Sequence, residues 1–565
     1  MAWYDEAVFY HIYPLGLLDA PRENPYGEPV HRLPGLYPWI GHLQKLGVNA
    51  LYIGPLFESV GHGYETTDYR KLDSRLGDNG DLKAFVAKCH EAGIRVILDG
   101  VFNHTGRDFF AFKDIQQNRE NSPYRDWYCN VNFWGNTEYN DGFSYDNWGG
   151  YNLLVKLNQR NSAVQDYICD VIRFWVSEFD IDGIRLDAAD VLDFDFMKAL
   201  RRVANEVKPE FWLMGEVIHG DYTRWVNEGT LHSVTNYHLH KALYSGHNDH
   251  NYFEIAHTVK RLYGMGGNRP DGLKLYNFVD NHDVERIYTK LNNKAHLTPV
   301  HVLLYTLPGV PSIYYGSEFG IEGRKEKFSD ASLRPALRYT DYENALTDNP
   351  LTRLIAALGR IRRQTKALSY GDYRELVLTN RQYAFARSTG EETVLVTVNN
   401  DDTPSTLTLP AGSTPTYVGA LSGERVAANG GNLTVTIPGC SGEIWLPLTG
   451  NEALPAADTT EQAPPAATGV EAAPAAADSS APSQSPAEAI PSQEISAASL
   501  AESEPQTPPA QGALEEAYEQ GRIAGLQEAI LAIMSKNGPI TDQMRRDVTD
   551  NVYHDSLINW IKSFR

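Results

Sequence analysis

Gly183-Ile184-Arg185-Leu186-Asp187-Ala188-Ala189-Asp190 alternates apolar and charged side chains, the period-2 pattern of a strand whose successive residues face opposite ways. Arg185 and Asp187 therefore share one side of a segment that is otherwise apolar. Charges removed from water are costly unless paired, so Arg185 reads as the partner that keeps Asp187 ionised. A carboxylate held that way suits a nucleophile or a charge stabiliser. Taken alone, these residues are best accounted for by a structural ion pair at a strand end; what favours chemistry is that similar residues recur at other strand ends.

Working outward, short apolar strands alternate with helical patterns. Strands are expected at residues 8–13, 50–53, 95–101, 184–188, 212–217, 233–235, 275–279 and 312–315, with helices at 38–46, 81–92, 163–178, 194–205 and 296–307. Such alternation implies right-handed βαβ crossovers and a parallel sheet. Eight strands over this length imply an α/β fold, a closed (β/α)8 barrel occupying 1–367. One interval breaks the rhythm. Between Asn103 and about Arg160 the chain is rich in Asn, Gly, Tyr and Trp and has little helical periodicity. So long a connection leaving the third strand is read as an inserted subdomain, about 104–160, that walls the cleft.

After a helical stretch at 351–365, short alternating segments at 383–388, 393–399, 405–409, 432–437 and 442–446 imply a C-terminal antiparallel β-sandwich over 368–449. Residues 450–512 are dominated by Ala, Pro, Ser, Thr and Glu, the composition of a disordered linker. Beyond it, over 513–565, Ile523, Leu526, Ile530, Ile533 and Met534 share one helical face, and Val552, Leu557, Ile558, Ile561 and Phe564 mark a second helix. A small helical tail of this kind is expected to dock onto another protein or to self-associate.

With 565 residues the chain exceeds one ordinary domain, and its formal net charge of -22 argues against nucleic acid or an anionic membrane surface as a partner. Cys89, Cys129, Cys169 and Cys440 are scattered without metal spacing and read as buried free thiols of a reducing compartment. No segment approaches the ~20 apolar residues of a membrane span, and the N-terminus lacks a signal-peptide pattern. A cytoplasmic location is expected.

Three acids follow strands of the expected barrel: Asp187, Glu216 in Met214-Gly215-Glu216-Val217, and Asp283 in Val279-Asp280-Asn281-His282-Asp283. Polar residues at the C-terminal ends of barrel strands read as catalytic. Together with His104, His282 and Arg185, they suit glycoside hydrolysis. In that reaction one carboxylate attacks or stabilises the anomeric carbon, and a carboxyl of raised pKa protonates the leaving oxygen.

Four segments carry a resemblance. Asp99-Gly100-Val101-Phe102-Asn103-His104, Gly183-Ile184-Arg185-Leu186-Asp187, Gly215-Glu216-Val217 and Phe278-Val279-Asp280-Asn281-His282-Asp283 look like the four signature segments of the α-amylase family of glycoside hydrolases, in the family's order. The resemblance covers about 1–448. It implies that Asp187 is the nucleophile, Glu216 the general acid/base and Asp283 the transition-state stabiliser. It further implies that Arg185 orients Asp187, that His104 and His282 hydrogen-bond the sugar, and that Tyr64 stacks beneath it. The implied substrate is an α-glucan oligosaccharide, cleaved at α-1,4 bonds with retention; transglycosylation, α-1,6 cleavage and a non-catalytic scaffold are the alternatives.

Leu154-Val155-Lys156-Leu157-Asn158 and His62-Gly63-Tyr64-Glu65-Thr66-Thr67-Asp68-Tyr69 are similar to segments of the neopullulanase, cyclomaltodextrinase and maltogenic amylase branch. Leu-Val stands in place of its usual Met-Pro, and Glu65 in place of its customary Asp. The barrel begins almost at Met1, so that branch's N-terminal domain is expected to be absent. No cofactor is implied as a requirement, but the resemblance makes Asn103 a candidate ligand for Ca²⁺. A complete set of six to eight oxygens is not assembled from the sequence.

Overall fold

Eight short strands close into a parallel barrel in the computed structural model, which describes residues 2–327 and 329–448. We label them β1 (Phe9–Ile12), β2 (Ala50–Ile53), β3 (Arg95–Gly100), β4 (Gly183–Leu186), β5 (Trp212–Gly215), β6 (Ser233–Val234), β7 (Tyr276–Phe278) and β8 (Val310–Tyr314). The hydrogen-bonded order is β6-β5-β4-β3-β2-β1-β8-β7, and a parallel bridge between Thr235 and Tyr276 closes the ring. Register then fixes the level of the site: Asp99 on β3 and Met214 on β5 both lie opposite Arg185 on β4.

Strand alternation sorts the apolar residues into two sets. Phe9, Ala50, Tyr52, Ile97, Trp212, Met214, Tyr276, Phe278 and Val310 pack together in one cluster, where Phe9 stacks on Trp212 with ring centroids 4.9 Å apart. Val8, Tyr10, Leu51, Ile53, Val96, Leu98, Ile184 and Leu213 belong to the larger core shared with the helices. Helix Ser162–Phe179 shows how that coat is held. Asn161 caps its start by accepting from Ala163 N, and its buried face includes Ile168, Ile172, Trp175 and Phe179. Trp175 stacks on Phe57 at 4.4 Å and donates to the Tyr69 carbonyl at 2.7 Å.

Strand β4 stops at Leu186, two residues before the expected end, because Ala188 adopts a left-handed backbone (φ 47°, ψ 41°). Asp187 consequently stands at the strand's exit. Helices Tyr237–Asn248 and Tyr252–Met265, between β6 and β7, were not expected; their many His, Tyr and Asn residues blur the apolar period. Residues 104–160 likewise contain helix Phe110–Asn118, with Phe112 and Ile115 buried, and a three-stranded antiparallel sheet of His104–Thr105, Tyr151–Lys156 and Asn147–Trp148.

Among the described residues the C-terminal region has eight strands where five were expected. Six form one antiparallel sheet, and Ser405–Pro410 pairs with Asn432–Ile437 in a second. Ala384, Leu395, Leu409, Leu433, Val435 and Trp445 fill the space between them. Thr416–Gly419 and Arg425–Ala427 escaped the sequence reading because they are too short to show a period. All four cysteines are free, and Cys89 is the fully buried one; Cys129, Cys169 and Cys440 are half-buried. The linker expected at 450–512 and the helical tail at 513–565 lie outside the described residues.

At the N-terminal end of β4 the Asp182 carboxylate accepts from His90 Nε2 (2.7 Å), Val96 N (2.9 Å), Arg95 Nη1 (3.0 Å) and Lys208 Nζ (2.9 Å). Burial pushes this carboxyl up, but its donors His90, Val96 and Lys208 outweigh burial and hold it at about 2. A folded-state pKa below the ordinary 3.8 contributes stability that is present above about pH 4 and lost as pH falls through about 2. Asp182→Asn is therefore expected to lose ~2 kcal/mol at neutral pH. Urea denaturation should show the gap between wild type and variant narrowing at pH 3.

Candidate active site

Arg185, fully buried inside the barrel, divides its guanidinium among three carboxylates. Nη1 donates to Asp99 Oδ1 at 2.9 Å and to Asp187 Oδ1 at 2.8 Å, while Nη2 lies 2.9 Å from Glu216 Oε2. The register of β3, β4 and β5 makes this arrangement possible, because it sets Asp99 beside Arg185 and leaves Asp187 and Glu216 each one residue beyond its strand. The left-handed turn at Ala188 adds a fourth contact by aiming Ala188 N at Glu216 Oε2, 3.0 Å away. The side chains of Asp187, Glu216 and Asp283 retain 10%, 15% and 34% exposure, so the acids open from a dry floor toward the barrel mouth.

Crowding sets the protonation of this group. Burial pushes the Asp187 carboxyl well above the carboxylate range; Arg185 opposes that, and the charges of Glu216 and Asp99 reinforce it. Glu216 is raised too, by burial first, with Arg185 lowering it and Asp283 raising it. Two carboxyls on one guanidinium titrate as a pair, and one of them keeps its proton to higher pH than either would alone.

Asp283 faces them from the loop after β7. Its Oδ1 accepts from Arg334 Nη2 at 2.8 Å, its Oδ2 is 3.1 Å from His282 Nε2, and its own N–H donates to Asn281 Oδ1 at 2.8 Å. Arg334 also donates to the His282 carbonyl at 3.0 Å and lies over the Tyr13 ring. Tyr64 links the two halves of the site. Its ring stacks with His282, and its hydroxyl sits 2.5 Å from His282 Nε2 and 3.1 Å from Asp99 Oδ2. Burial holds His282 well below its ordinary pKa, so the ring is neutral at physiological pH. The loop that presents Tyr64 is closed by Glu65, whose carboxylate accepts from the backbone N–H groups of Gly61, His62 and Gly63 and meets His62 Nε2 at 3.1 Å.

His104 and Asn103 stand behind this group. His104 Nε2 is 3.1 Å from the Tyr64 carbonyl and Nδ1 is 3.2 Å from Asn103 Nδ2, a pattern satisfied by a neutral ring with its proton on Nε2. Burial pushes His104 down to about 3. Asn103 Oδ1 accepts from Lys156 Nζ at 2.8 Å and Gln159 Nε2 at 3.2 Å, so both lone pairs are taken and the group does not fit a divalent ion. His31, Asp78 and Asp81 also lie close together on the surface; the reciprocal capping of helix Asn79–Glu91 by Asp78 and Asp81 accounts for them.

The structure thus joins Arg185, Asp187, Glu216, Asp283, Tyr64 and His282 directly and connects His104 through the Tyr64 backbone. The sequence reading had not singled out Asp99, Tyr13 or Arg334. Asp99 lies inside one of the four quoted segments, and its position opposite Arg185 could have flagged it. Arg334 comes from an irregular loop that carries no periodic signal.

Residues 27–353 match the family model for the alpha amylase catalytic domain, and residues 373–444 match that for the maltogenic amylase C-terminal domain. The chain belongs to the α-amylase family of glycoside hydrolases. A cyclomaltodextrinase of a Bacillus species is 33% identical over 430 residues, covering 72% of this chain and 75% of that protein. Neopullulanase 2 of Thermoactinomyces vulgaris is 31% identical, over 77% of this chain and 76% of its own. Among solved structures, a cyclomaltodextrinase superposes with a TM-score of 0.70 at 29% identity, covering 79% of this chain and 78% of that one. A Nostoc punctiforme debranching enzyme superposes with 0.69 at 28%, covering 79% and 99%.

Within this glycoside hydrolase, Gly54 abuts Asp99. A Cβ at that position would lie 2.4 Å from Asp99 Cβ and 2.8 Å from its Oδ2. Gly54→Ala should dislodge Asp99 from Arg185 and lower kcat by on the order of 10²-fold, with the circular dichroism spectrum preserved; unchanged turnover would show that Asp99 does not hold the site.

Proposed function

We propose that the enzyme hydrolyses α-1,4 bonds of short maltodextrins with retention of configuration. The observation carrying this reading is the shared guanidinium of Arg185, which holds Asp187 and Glu216 together at the barrel mouth with Asp283 beside them. Retaining glycosidases need two carboxyls roughly 5–5.5 Å apart.

In the first step Glu216 gives its proton to the glycosidic oxygen as the C1–O bond breaks. The Asp187 carboxylate bonds to C1 from the opposite face, and the shortened glucan leaves with a free hydroxyl. In the second step Glu216, now ionised, takes a proton from water; the water oxygen bonds to C1 and the Asp187 ester breaks. Two inversions give net retention. The raised pKa of Glu216 suits the acid role, and its contact with Ala188 N fixes the direction of proton delivery. Asp283 receives sugar hydroxyls as positive charge develops at C1, and neutral His282 and Tyr64 supply a hydrogen-bonding edge and a stacking face.

The choice of substrate is supported by the relatives named cyclomaltodextrinase and neopullulanase. A second reading, α-1,6 cleavage, is favoured by the likeness to the debranching enzyme; a third is transfer to a sugar hydroxyl in place of water. A cytoplasmic site of action is supported by two Bacillus subtilis relatives named intracellular maltogenic amylase. Among the described residues no helix is long and apolar enough to cross a membrane.

Maltotriose digestion followed by NMR should give the α-anomer of the new reducing end before mutarotation, with glucose and maltose as products. Asp187→Asn should lower turnover by about 10³-fold or more. A variant that still turns over normally would remove Asp187 from the nucleophile role, products longer than maltotriose would favour transfer, and cleavage confined to panose or pullulan would favour α-1,6 action.

The Asp283 charge is one of the causes, after burial, that raise Glu216, and Asp283→Asn removes it. With maltotriose, the basic limb of kcat/KM, where Glu216 loses its proton, should therefore move to lower pH in the residual activity of this variant. A limb that stays in place would mean that Glu216 does not sense Asp283.

A further inference from the structure

We propose that the Lys156 ammonium takes the place of a divalent cation at the root of the inserted segment, and that Lys156 is a positioning residue for His104. This inference rests on the glycosidase reading above. Lys156 ends the strand Tyr151–Lys156, which pairs antiparallel with His104–Thr105 so that Lys156 lies opposite His104. Its side chain then reaches back one residue, and Nζ donates to Asn103 Oδ1 at 2.8 Å.

The contact belongs to a relay that crosses three parts of the chain. Gln159 Nε2 donates to the same Asn103 oxygen at 3.2 Å, while Gln159 Oε1 accepts from Asp193 N at 2.7 Å. Asp193 in turn caps helix Phe194–Val207, which follows the Asp187 strand. On the other side Asn103 Nδ2 meets His104 Nδ1 at 3.2 Å, and His104 Nε2 meets the Tyr64 carbonyl at 3.1 Å. With its oxygen engaged by Lys156 and Gln159, the Asn103 amide can present only N–H to His104. That choice makes Nδ1 an acceptor and puts the ring proton on Nε2. The backbone agrees with the side chains, since Leu157 N donates to the Asn103 carbonyl at 3.0 Å.

A hard cation in this place would need six to eight oxygens at 2.3–2.6 Å. Asn103 Oδ1 would have to be one of them, and the ammonium already stands 2.8 Å from it. Like charges that close repel, and this ammonium is covalently attached to the chain. Burial pushes the Lys156 pKa down, and Cys129, Asp146 and Asp190 oppose that. The inserted segment is pinned to the barrel by a cation the chain carries itself.

The test uses the full-length enzyme. Wild type first shown to hydrolyse maltotriose is dialysed against EDTA; kcat/KM and Tm should be unchanged, and added CaCl2 should change neither. A loss above threefold that CaCl2 restores would overturn the proposal, whereas failure to hydrolyse maltotriose at the outset would instead strike the glycosidase reading. Lys156→Met should lower kcat about tenfold with KM changed less than threefold, and Lys156→Arg, which keeps charge and donors, should recover at least half the activity. If Lys156→Met folds and matches wild type, or if Lys156→Arg is as impaired as Lys156→Met, Lys156 does not position the site. If Lys156→Met does not fold, the EDTA arm decides.

Discussion

A single buried guanidinium has to satisfy three carboxylates, and the geometry of the barrel follows from that demand. Arg185 is buried, so Asp99 and Glu216 must reach it from the neighbouring strands and Asp187 from the exit of its own. Breaking such a cluster by removing one partner leaves charge stranded in a low-dielectric interior. The strand registers, the left-handed Ala188 and the absence of a side chain at Gly54 are the conditions under which all three contacts coexist. The cluster is also chemically unequal. Asp99 is fixed further by the hydroxyls of Tyr52 and Tyr64, whereas Asp187 and Glu216 keep an open side toward the mouth.

Around this centre the protein uses neutral groups where charge would interfere. His11, His104 and His282 are all pushed below their ordinary pKa by burial, so these rings add no positive charge near Asp187. Arg185 lies beneath the acids, Arg334 behind Asp283, and Lys156 at the root of the inserted segment. Each is bound at short range to the carboxylate or amide beside it.

Much of this was legible in the sequence, and the remainder was hidden for identifiable reasons. Barrel strands announce themselves because they are apolar on both faces and bounded by helical periods, and acids at their exits stand out against that background. Asp187, Glu216 and Asp283 were read in this way. The same reading extended β4 to Ala188, since nothing in Asp-Ala-Ala warns of a positive φ at an alanine. Helices Tyr237–Asn248 and Tyr252–Met265 bury His240, His247 and Tyr252 beside their aliphatic residues, and a hydropathy period built on aliphatics misses such faces. Arg334 acts from a loop in which no periodicity exists to be read. Asn103 was a candidate ligand for Ca²⁺ through the resemblance alone, and the ammonium that donates to it comes from a residue 53 positions away, which the antiparallel pairing sets opposite His104.

Strand β4 is four residues long, yet its two ends respond to protons in opposite ways. Asp182, at the foot, keeps its charge down to about pH 2, while Asp187, at the head, takes up a proton well above the usual carboxylate range. As acidity rises, the head of the strand is therefore the first of the two to lose its charge.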